Sequence, residues 1–233
     1  MIKISDVIFF DIETKGTTNK DIIDLLFPVP EKKTAEDAPS NYKKEEAIAE
    51  WIEREYIKDL EKREHATEKG ALDIDTAVIR SIAWAIGDGE IECVGSDDNE
   101  HEVIDAFITA WNSFRAKTYG GKSVGFNSIN YDWSVILRRL VMLNMNGKFI
   151  FPPNFNRYTG EMDLMNVAWN FGYAAGNIKS MKVLAKILGI KPLVEDVTGA
   201  DVFNMSIEDL ILYNKSDVHV TREIFNKFNG VYF

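Results

Sequence analysis

The chain opens on a continuous apolar run from Val7 to Phe10, whose β-branched and aromatic residues are typical of a buried strand. Together with the residues before it, this run predicts a strand over 2–10. Further along, strand-like segments alternate with segments whose apolar residues recur at helical spacing. The later predicted strands are 78–86, 90–94 and 122–126, and the predicted helices are 101–115, 132–143, 163–171, 180–188 and 206–229. Strands and helices in this order predict an α/β fold.

The stretch from 20 to 70 differs in composition from the rest of the chain. Prolines near its start indicate a loop, and the charged segment 43–68 carries apolar residues at helical spacing. We interpret this segment as one amphipathic helix with a solvated, charged face. Whether that helix is a lid, a docking surface or scaffold stays open. We therefore predict a single domain over 1–233, with a helical insertion at about 18–70.

Composition and charge narrow the class of function. Of the 233 residues, 45% are hydrophobic, which is enough for a core and excludes a disordered chain. The formal net charge of −10 excludes a protein that coats nucleic acid by charge alone, since such binders cluster lysine and arginine. It remains compatible with an enzyme whose acidic site is neutralised by bound divalent cations.

The single cysteine, Cys93, excludes an intrachain disulfide and a cysteine-cluster zinc site. No apolar run approaches the roughly 20 residues that span a bilayer. Asp6 and Asp11 interrupt the only apolar stretch near the N-terminus, so no signal peptide is visible. We therefore expect a reducing, cytoplasmic setting and no membrane partner.

Two acidic residues follow the first apolar run, in the sequence Asp11-Ile12-Glu13. Because side chains alternate along a strand, Asp11 and Glu13 point to the same side. Two carboxylates beside a buried strand repel each other and are costly to desolvate, unless they share a cation. The alternative is a surface pair at the end of a strand, since this short pattern is common by chance.

A third acid lies in the last predicted helix, which Ser206 caps. Tyr213 and Asp217 are four residues apart, along the same side as the apolar stripe of this helix. A carboxylate near a buried stripe is seldom left unpaired. Either Tyr213 hydrogen-bonds a buried Asp217 for structural reasons, or the pair has a functional role; the helix alone leaves both open.

The segment 125–132 combines turn residues with a fourth acid. Gly125 permits a sharp exit from a strand, and Asn127 suits a turn and can hydrogen-bond a ligand. Asp132 falls at the start of a predicted helix, where capping is the simplest interpretation of an aspartate.

All-oxygen ligand sets such as four carboxylates suit Mg²⁺ or Mn²⁺. The acids in question are Asp11, Glu13, Asp132 and Asp217. A pair of such ions supports in-line phosphodiester cleavage, in which one generates the hydroxide and the other steadies the leaving oxygen. The sequence offers no competing catalytic set, because the three histidines lack a paired nucleophile or zinc spacing and the diglycine at 120–121 lacks a P-loop context.

Three segments, taken in order, resemble the three motifs of the DEDD superfamily of 3′–5′ exonucleases. They are Asp11-Ile12-Glu13-Thr14, the stretch from Asn127 to Asp132, and Tyr213-x-x-x-Asp217. Tyrosine four residues before the last aspartate is similar to the tyrosine (DEDDy) subfamily, which includes the proofreading domains of DNA polymerases. The likeness is greatest to the family-B-polymerase-like exonucleases that occur alone, often in phages, and it spans nearly the whole chain. It implies a ribonuclease H-like fold: a mixed five-stranded sheet flanked by helices.

The resemblance also implies a role for each acid. Asp11 would bridge two divalent cations, Mg²⁺ or Mn²⁺, while Glu13 and Asp217 would hold the ion that carries the attacking water. Asp132 would serve the second ion through water, and Tyr213 would orient or activate the attacking water. The implied reaction is hydrolysis of the terminal phosphodiester of DNA, which releases 5′-mononucleotides from a 3′ end.

Substrate contacts are implied by the same resemblance. Asn127 would hydrogen-bond the terminal nucleotide and Phe126 would stack on it. The backbone of Ile12 and the side chain of Thr14 would lie beside the 3′ hydroxyl. Asp163 is either a helix cap or an acid that supports the site, and we favour the cap.

Single-stranded DNA or frayed 3′ ends are the expected partners, and a replication or recombination protein is a further candidate; the sequence leaves the oligomeric state open. The basic residues available for a phosphate patch are Lys179, Lys182 and Lys186 on one helical face, and Arg138 and Arg139. Because this patch is small and the chain is acidic, we expect weak and strongly salt-sensitive binding. The alternatives are an exoribonuclease of the same fold and a non-catalytic binding module that kept the fold.

Overall fold

The structure is a computed structural model that describes residues 1–155, 160–169, 179–195, 197 and 201–233, and only the backbone of residues 66–68. Its strands are β1 (Val7–Gly16), β2 (Ala77–Ile86), β3 (Glu92–Gly95), β4 (Lys122–Gly125) and β5 (Met162–Asp163). Its helices are α1 (Lys20–Leu26), α2 (Glu45–Glu68), α3 (Glu100–Lys117), α4 (Asp132–Met142), α5 (Leu164–Ala168), α6 (Met181–Ile187) and α7 (Ile207–Phe228).

The five strands form one mixed sheet in the order β3-β2-β1-β4-β5. β1 pairs with β4 in parallel, with Val7 opposite Lys122 and Phe9 opposite Val124. β4 pairs with β5 in parallel, whereas β2 and β3 are antiparallel. β2 and β3 therefore lie on one side of β1, and β4 and β5 lie on the other side. The first strand is thus in the middle of the sheet.

β1 is buried on both of its faces. Phe9 packs edge-on against Phe225 of α7, with 5.3 Å between ring centroids. On the opposite face, Phe10 contacts Phe107 of α3 and Trp133 of α4, at 5.3 and 4.9 Å. Neighbouring residues of one strand thus contact helices on opposite sides of the sheet. The predicted α/β fold, a five-stranded mixed sheet flanked by helices, is confirmed.

The predicted first strand has the wrong limits. Residues Ile4–Asp6 form a short 3₁₀ turn, and β1 begins at Val7 and continues to Gly16. The acidic residues Asp11 and Glu13, expected at the carboxyl end of the first strand, therefore lie within it. A charged side chain does not interrupt the backbone hydrogen bonds of a strand.

Other boundaries differ by a few residues, and two short elements were missed. The antiparallel hairpin of β2 and β3 was predicted, as was α7 with Ser206 at its N-cap, where the hydroxyl accepts a hydrogen bond from the Asp209 amide. The two-residue strand β5 and the helix α1 were not predicted, because both are too short to show a period. The helix predicted over 163–171 is shorter, and residues 170–171 lie outside the described part of the chain.

The chain forms two compact units, one of Met1–Thr14 with Ile79–Phe233 and the other of Lys15–Val78. The second unit contains α2, so the predicted charged helix exists over 24 residues. Within this unit, Lys32 pairs with Glu53 of α2 at 2.6 Å. Throughout the described residues, no helix is both long and apolar enough to cross a membrane.

Candidate metal centre

Three acids, two on β1 near the start of the chain and one on α7 near its end, meet where β1 faces α7. Asp11 and Glu13 follow Phe9 at alternate positions of β1, so they share its face, the one covered by α7. Asp217 lies about two helical turns before Phe225 on α7, which brings its carboxylate to the same level as these acids. One carboxylate oxygen from each of Asp11, Glu13 and Asp217 lies within 4.8 Å of the others.

The surroundings of these acids disfavour their ionised forms. Burial raises the pKa of Asp11 well above its usual value, and the charges of Asp132, Glu13 and Asp217 raise it further. The pKa of Glu13 is also raised, first by burial and then by Asp217 and Asp132. Carboxylates held this close together need a neutralising charge, and oxygen ligands at this spacing suit a hard divalent cation. The cluster could therefore hold a metal ion.

Tyr213 and Asp217 lie one turn apart on α7, near enough for each side chain to shift the pKa of the other. Burial raises the pKa of Asp217 to about 6, while Lys182 and the Tyr213 hydroxyl act in the opposite direction. The pKa of Tyr213 is raised as well, first by burial and then by the Asp217 charge. At neutral pH the phenol therefore keeps its proton and acts as a hydrogen-bond donor.

Positive charge lies beside this pair. The Lys182 ammonium is 4.9 Å from the centroid of the Tyr213 ring and donates to the Val197 carbonyl oxygen. A cavity of about 620 Å³ adjoins Tyr213 and Asp217, and its lining includes Lys182, Lys186 and Lys191. The sequence prediction named the first two of these lysines and missed the third, because Lys191 follows α6 and is not part of its helical pattern.

Arg139 does not extend this basic surface. Its side chain is buried and its guanidinium donates to the Glu100 carboxylate at 2.8 Å. The same Glu100 carboxylate accepts from the Ile79 amide of β2 at 2.7 Å. The prediction that Arg139 contributes to a phosphate patch is therefore wrong, because the sequence did not show its buried acidic partner.

Asp132 lies beside β1, next to Ile12. It is the first residue of α4 and is 3% exposed, and its Oδ1 accepts a hydrogen bond from the Ile12 amide at 3.1 Å. Burial raises its pKa to about 7, although hydrogen bonds from its own amide and from Ile12 oppose the rise. The capping interpretation is wrong, since Tyr131 is the N-cap of α4. Asp132 is close enough to raise the pKa of Asp11, yet it is not one of the three clustered acids.

The predicted substrate-contact residues lie around the β4–α4 loop, which we define as residues 126–131. Asn127 has a φ of +62°, a conformation that asparagine tolerates better than most residues. The Phe126 ring is partly buried and meets Trp169 edge-on at 6.0 Å. The Thr14 hydroxyl lies 2.7 Å from the Tyr131 hydroxyl. The structure thus brings Phe126, Asn127 and Thr14 to the same end of the sheet as the acids, and their substrate roles stay predictions.

Asp163 caps α5, as predicted. Its carboxylate accepts from the amides of Met165 and Asn166 in the first turn of this helix. The same carboxylate also accepts from the amides of Asn127 and Ile129 in the β4–α4 loop. No local pattern indicated this second set of bonds, because it joins segments more than thirty residues apart.

Arg80 is a further residue that the sequence analysis missed. It is 4% exposed and forms two hydrogen bonds to the Asp97 carboxylate, at 2.7 and 3.1 Å. It also donates to the carbonyl oxygens of Val202 and Met205, just before α7 begins. Arg80 thereby fixes the approach to the helix that carries Tyr213. The available signal was an arginine inside an otherwise apolar strand, where a charge needs buried partners.

The comparisons with known proteins bear on the fold. No protein-family model and no curated protein matches the chain in sequence. Among solved structures, it is similar to the family B DNA polymerase from the hyperthermophilic archaeon Pyrobaculum calidifontis, with a TM-score of 0.56 and 16% identity. The match covers 95% of this chain but only 24% of the polymerase chain. At this level of identity the likeness shows the fold alone.

Proposed function

We propose that this protein is a metal-dependent 3′–5′ exonuclease of the tyrosine (DEDDy) type. It hydrolyses the terminal phosphodiester, mainly of single-stranded DNA or frayed 3′ ends, and releases 5′-mononucleotides. The observation that carries this proposal is the meeting of Asp11, Glu13 and Asp217 within 4.8 Å, with Tyr213 one turn from Asp217 on α7. Proximity of these four side chains requires the fold, since β1 and α7 lie at opposite ends of the chain.

Two further observations support the proposal. The order of the acidic motifs along the chain resembles that of the exonuclease superfamily. The similarity in fold to about a quarter of a family B DNA polymerase is what an exonuclease related to such polymerases would show. These observations are independent, because one rests on short motifs and the other on the course of the backbone at 16% identity.

The cofactor that we propose is a pair of divalent cations, Mg²⁺ or Mn²⁺. The fit rests on the chemistry of the donors: carboxylate oxygens only, buried and mutually repelling, with no histidine or cysteine in the cluster. Such a pair, when bound, generates a hydroxide nucleophile and stabilises the leaving oxygen. Asp11, Glu13 and Asp217 would hold the cations, with Asp132 serving the second one from its position beside the Ile12 amide.

The remaining residues bind and orient the reactants. Tyr213, which lies beside Asp217 and is protonated at neutral pH, orients the attacking water through its hydroxyl. Asn127 and Phe126 bind the terminal nucleotide through a hydrogen bond and a ring contact. Thr14 and the Ile12 backbone lie beside the 3′ hydroxyl.

Substrate phosphates are attracted by a small patch, and we propose Lys182, Lys186 and Lys191 for this role. All three line the cavity beside Tyr213 and Asp217. Their charge acts locally in a chain with a net charge of −10, so binding is weak and depends strongly on salt. A replication or recombination protein is a further candidate partner that would raise the local concentration of DNA ends.

The test uses single-stranded DNA and RNA oligonucleotides of the same sequence, labelled at the 5′ end and incubated with the protein and Mn²⁺. Shortening of DNA from the 3′ end, with release of 5′-mononucleotides, is the expected result. An Asp217→Ala protein purified in parallel controls for contaminating nucleases. Degradation of RNA alone would replace the proposal by the exoribonuclease alternative, and no degradation of either would favour the non-catalytic module.

A further inference from the structure

The Asp163 carboxylate, where β5 meets α5, forms more hydrogen bonds than a helix cap requires. It is 2% exposed. Its Oδ1 accepts from the amides of Met165 at 2.9 Å and Asn166 at 3.4 Å, which are the bonds of the cap. Oδ1 also accepts from the Asn127 amide at 2.9 Å, and Oδ2 accepts from the Ile129 amide at 3.2 Å. One buried carboxylate thus binds two amides of α5 and two of the β4–α4 loop.

The β4–α4 loop, which Asp163 holds, has an unusual backbone conformation. Asn127 is in the left-handed region, and Ser128 lies so close to Gly125 that a Cβ at position 125 would collide with the Ser128 Cβ. Asp163 binds the amides on both sides of Ser128. Because those amides are partly buried and would otherwise lose these partners, the carboxylate stabilises this conformation over more open ones.

The loop leads directly to two contacts with β1. At its end, the Tyr131 hydroxyl bonds to Thr14, and the next residue, Asp132, accepts from the Ile12 amide. At its start, Phe126 and Asn127 are the residues for which we propose substrate contacts. Asp163 therefore supports the β4–α4 loop, and both ends of this loop belong to the proposed site. Asp163 itself lies outside the acidic cluster.

We infer that Asp163 is a positioning residue, which fixes the β4–α4 loop so that Phe126 and Asn127 meet the terminal nucleotide, in addition to capping α5. The catalytic consequence rests on the proposed exonuclease function, whereas the effect on the loop does not. Asp163 touches neither the three clustered acids nor Tyr213 through its hydrogen bonds. Its loss therefore raises KM for the oligonucleotide and leaves Mn²⁺ affinity at the three clustered acids close to the wild-type value, while it removes the charge that raises the pKa of Asp132.

Two substitutions separate the loop from the cap. Asp163→Ser keeps a good N-cap acceptor for α5 but has only one short oxygen, so it loses the bonds to the loop. Asp163→Asn keeps one acceptor oxygen and replaces the other by an NH₂ group, which cannot accept from the Ile129 amide. The matched control is Asn99→Ala, which removes the N-cap of α3, where the side chain accepts from Glu102 at 3.2 Å.

The first readout is hydrogen exchange of the whole chain, followed in peptides that cover 126–131 and 164–168. We expect exchange of 126–131 to accelerate about tenfold or more in both Asp163 variants, as the loss of a hydrogen bond to a charged group implies. In Asp163→Ser, 164–168 should stay close to wild type. Unchanged exchange of 126–131 would overturn the inference. This readout stands even if no nuclease activity is found, so the two proposals fail separately.

The second readout is steady-state kinetics on a single-stranded oligonucleotide, with Mn²⁺ binding measured by calorimetry. A roughly tenfold rise in KM, with kcat within about threefold and unchanged Mn²⁺ affinity, is expected for Asp163→Ser. A residue that only caps α5 predicts wild-type KM in this variant, as in Asn99→Ala, and that result would overturn the inference. If Asp163→Asn fails to fold, Asp163→Ser decides the question, because its cap is retained.

Discussion

The Asp132 carboxylate accepts a hydrogen bond from the Ile12 backbone amide, 3.1 Å away on the central strand β1. β4 pairs with β1 in register up to Phe9 and Val124 and ends at Gly125, before it reaches the level of Ile12. The Asp132 side chain therefore bonds to an amide of β1 that lies beyond the end of β4. Because Ile12 lies between Asp11 and Glu13, this bond also brings the fourth acid close to these two.

Replacing Asp132 by asparagine separates its charge from its hydrogen bond. The amide oxygen of Asp132→Asn can still accept from Ile12, so the fold is retained and the buried charge is removed. We expect activity on single-stranded DNA to fall at least ~100-fold, as for loss of a group that supports a metal-dependent step, with an unfolding midpoint no lower than wild type. Wild-type turnover in this variant would remove Asp132 from the mechanism.

Asp132→Ala is the companion variant for this residue. It leaves the Ile12 amide unpaired in a buried position, which destabilises the fold by about 1–3 kcal/mol. We expect a lower urea midpoint than for Asp132→Asn at equal loss of activity. Equal midpoints for the two variants would show that the Ile12 bond contributes nothing to stability.

Asp217 and Tyr213 should give different kinetic effects. Asp217→Ala removes one of the three clustered carboxylates, so we expect turnover to be abolished and Mn²⁺ affinity to fall by about tenfold or more. Tyr213→Phe keeps the ring and removes only the hydroxyl beside Asp217. For it we expect kcat to fall about 10- to 100-fold while Mn²⁺ affinity, measured by calorimetry, stays at the wild-type value. Full activity in Asp217→Ala would contradict the proposed site.

Stability of the metal-free protein should depend on pH through the clustered acids. The folded-state pKa is about 6 for Asp217 and about 7 for Asp132, against a usual value of 3.8, and those of Asp11 and Glu13 are raised too. Between these values the folded state retains protons that the unfolded state has lost. The free energy of unfolding therefore falls as pH rises from about 4 to about 7, and we expect a difference on the order of 2 kcal/mol or more.

Urea unfolding in a chelating buffer at several pH values measures this dependence. Asp217→Asn removes one contributing group and should flatten the profile. Mn²⁺ at a hundred times its Kd should raise the free energy of unfolding by about 2.7 kcal/mol near pH 8. Stability that rises with pH in the metal-free protein, or that does not change when Mn²⁺ is added, would contradict the assignment of the cluster as a cation site.

Salt dependence tests the proposed lysine patch. Lys186→Ala and Lys191→Ala each remove one charge from the lining of the cavity beside Tyr213. We expect KM for a single-stranded oligonucleotide to rise about threefold in each, and the slope of log KM against log salt to decrease by ~0.7. Lys122→Ala is the matched control, because Lys122 pairs opposite Val7 at the other end of β1 and β4. An equal change in this control would show a general effect of net charge.

Much of the site was predictable because it depends on local periodicity. Alternation along a strand places Asp11 and Glu13 on one side, and the helical repeat places Tyr213 beside Asp217. Ser206, Gly189 and Asp163 mark helix ends through local chemistry that a sequence shows directly. The observed β1, α7 and the hairpin of β2 and β3 follow from the same rules.

Other features became visible only once the chain was folded, because their partners are distant along it. Asp132 looked like a helix cap, yet its carboxylate bonds to Ile12, 120 positions earlier. Arg139 looked like a surface cation, yet Glu100 holds it in the interior. The two-residue strand β5 exists because β4 offers it a partner, not because its own residues show a period.

The order of residues along the chain was enough to establish which side chains share a strand or helix face, since this depends on bonds between near neighbours. It did not establish that the face of β1 with Asp11 meets the side of α7 with Asp217, or that Asp163 reaches the β4–α4 loop; the folded chain shows both. Carboxylates from separate elements repel and bind according to their distance in space, which packing of the core sets and local spacing does not.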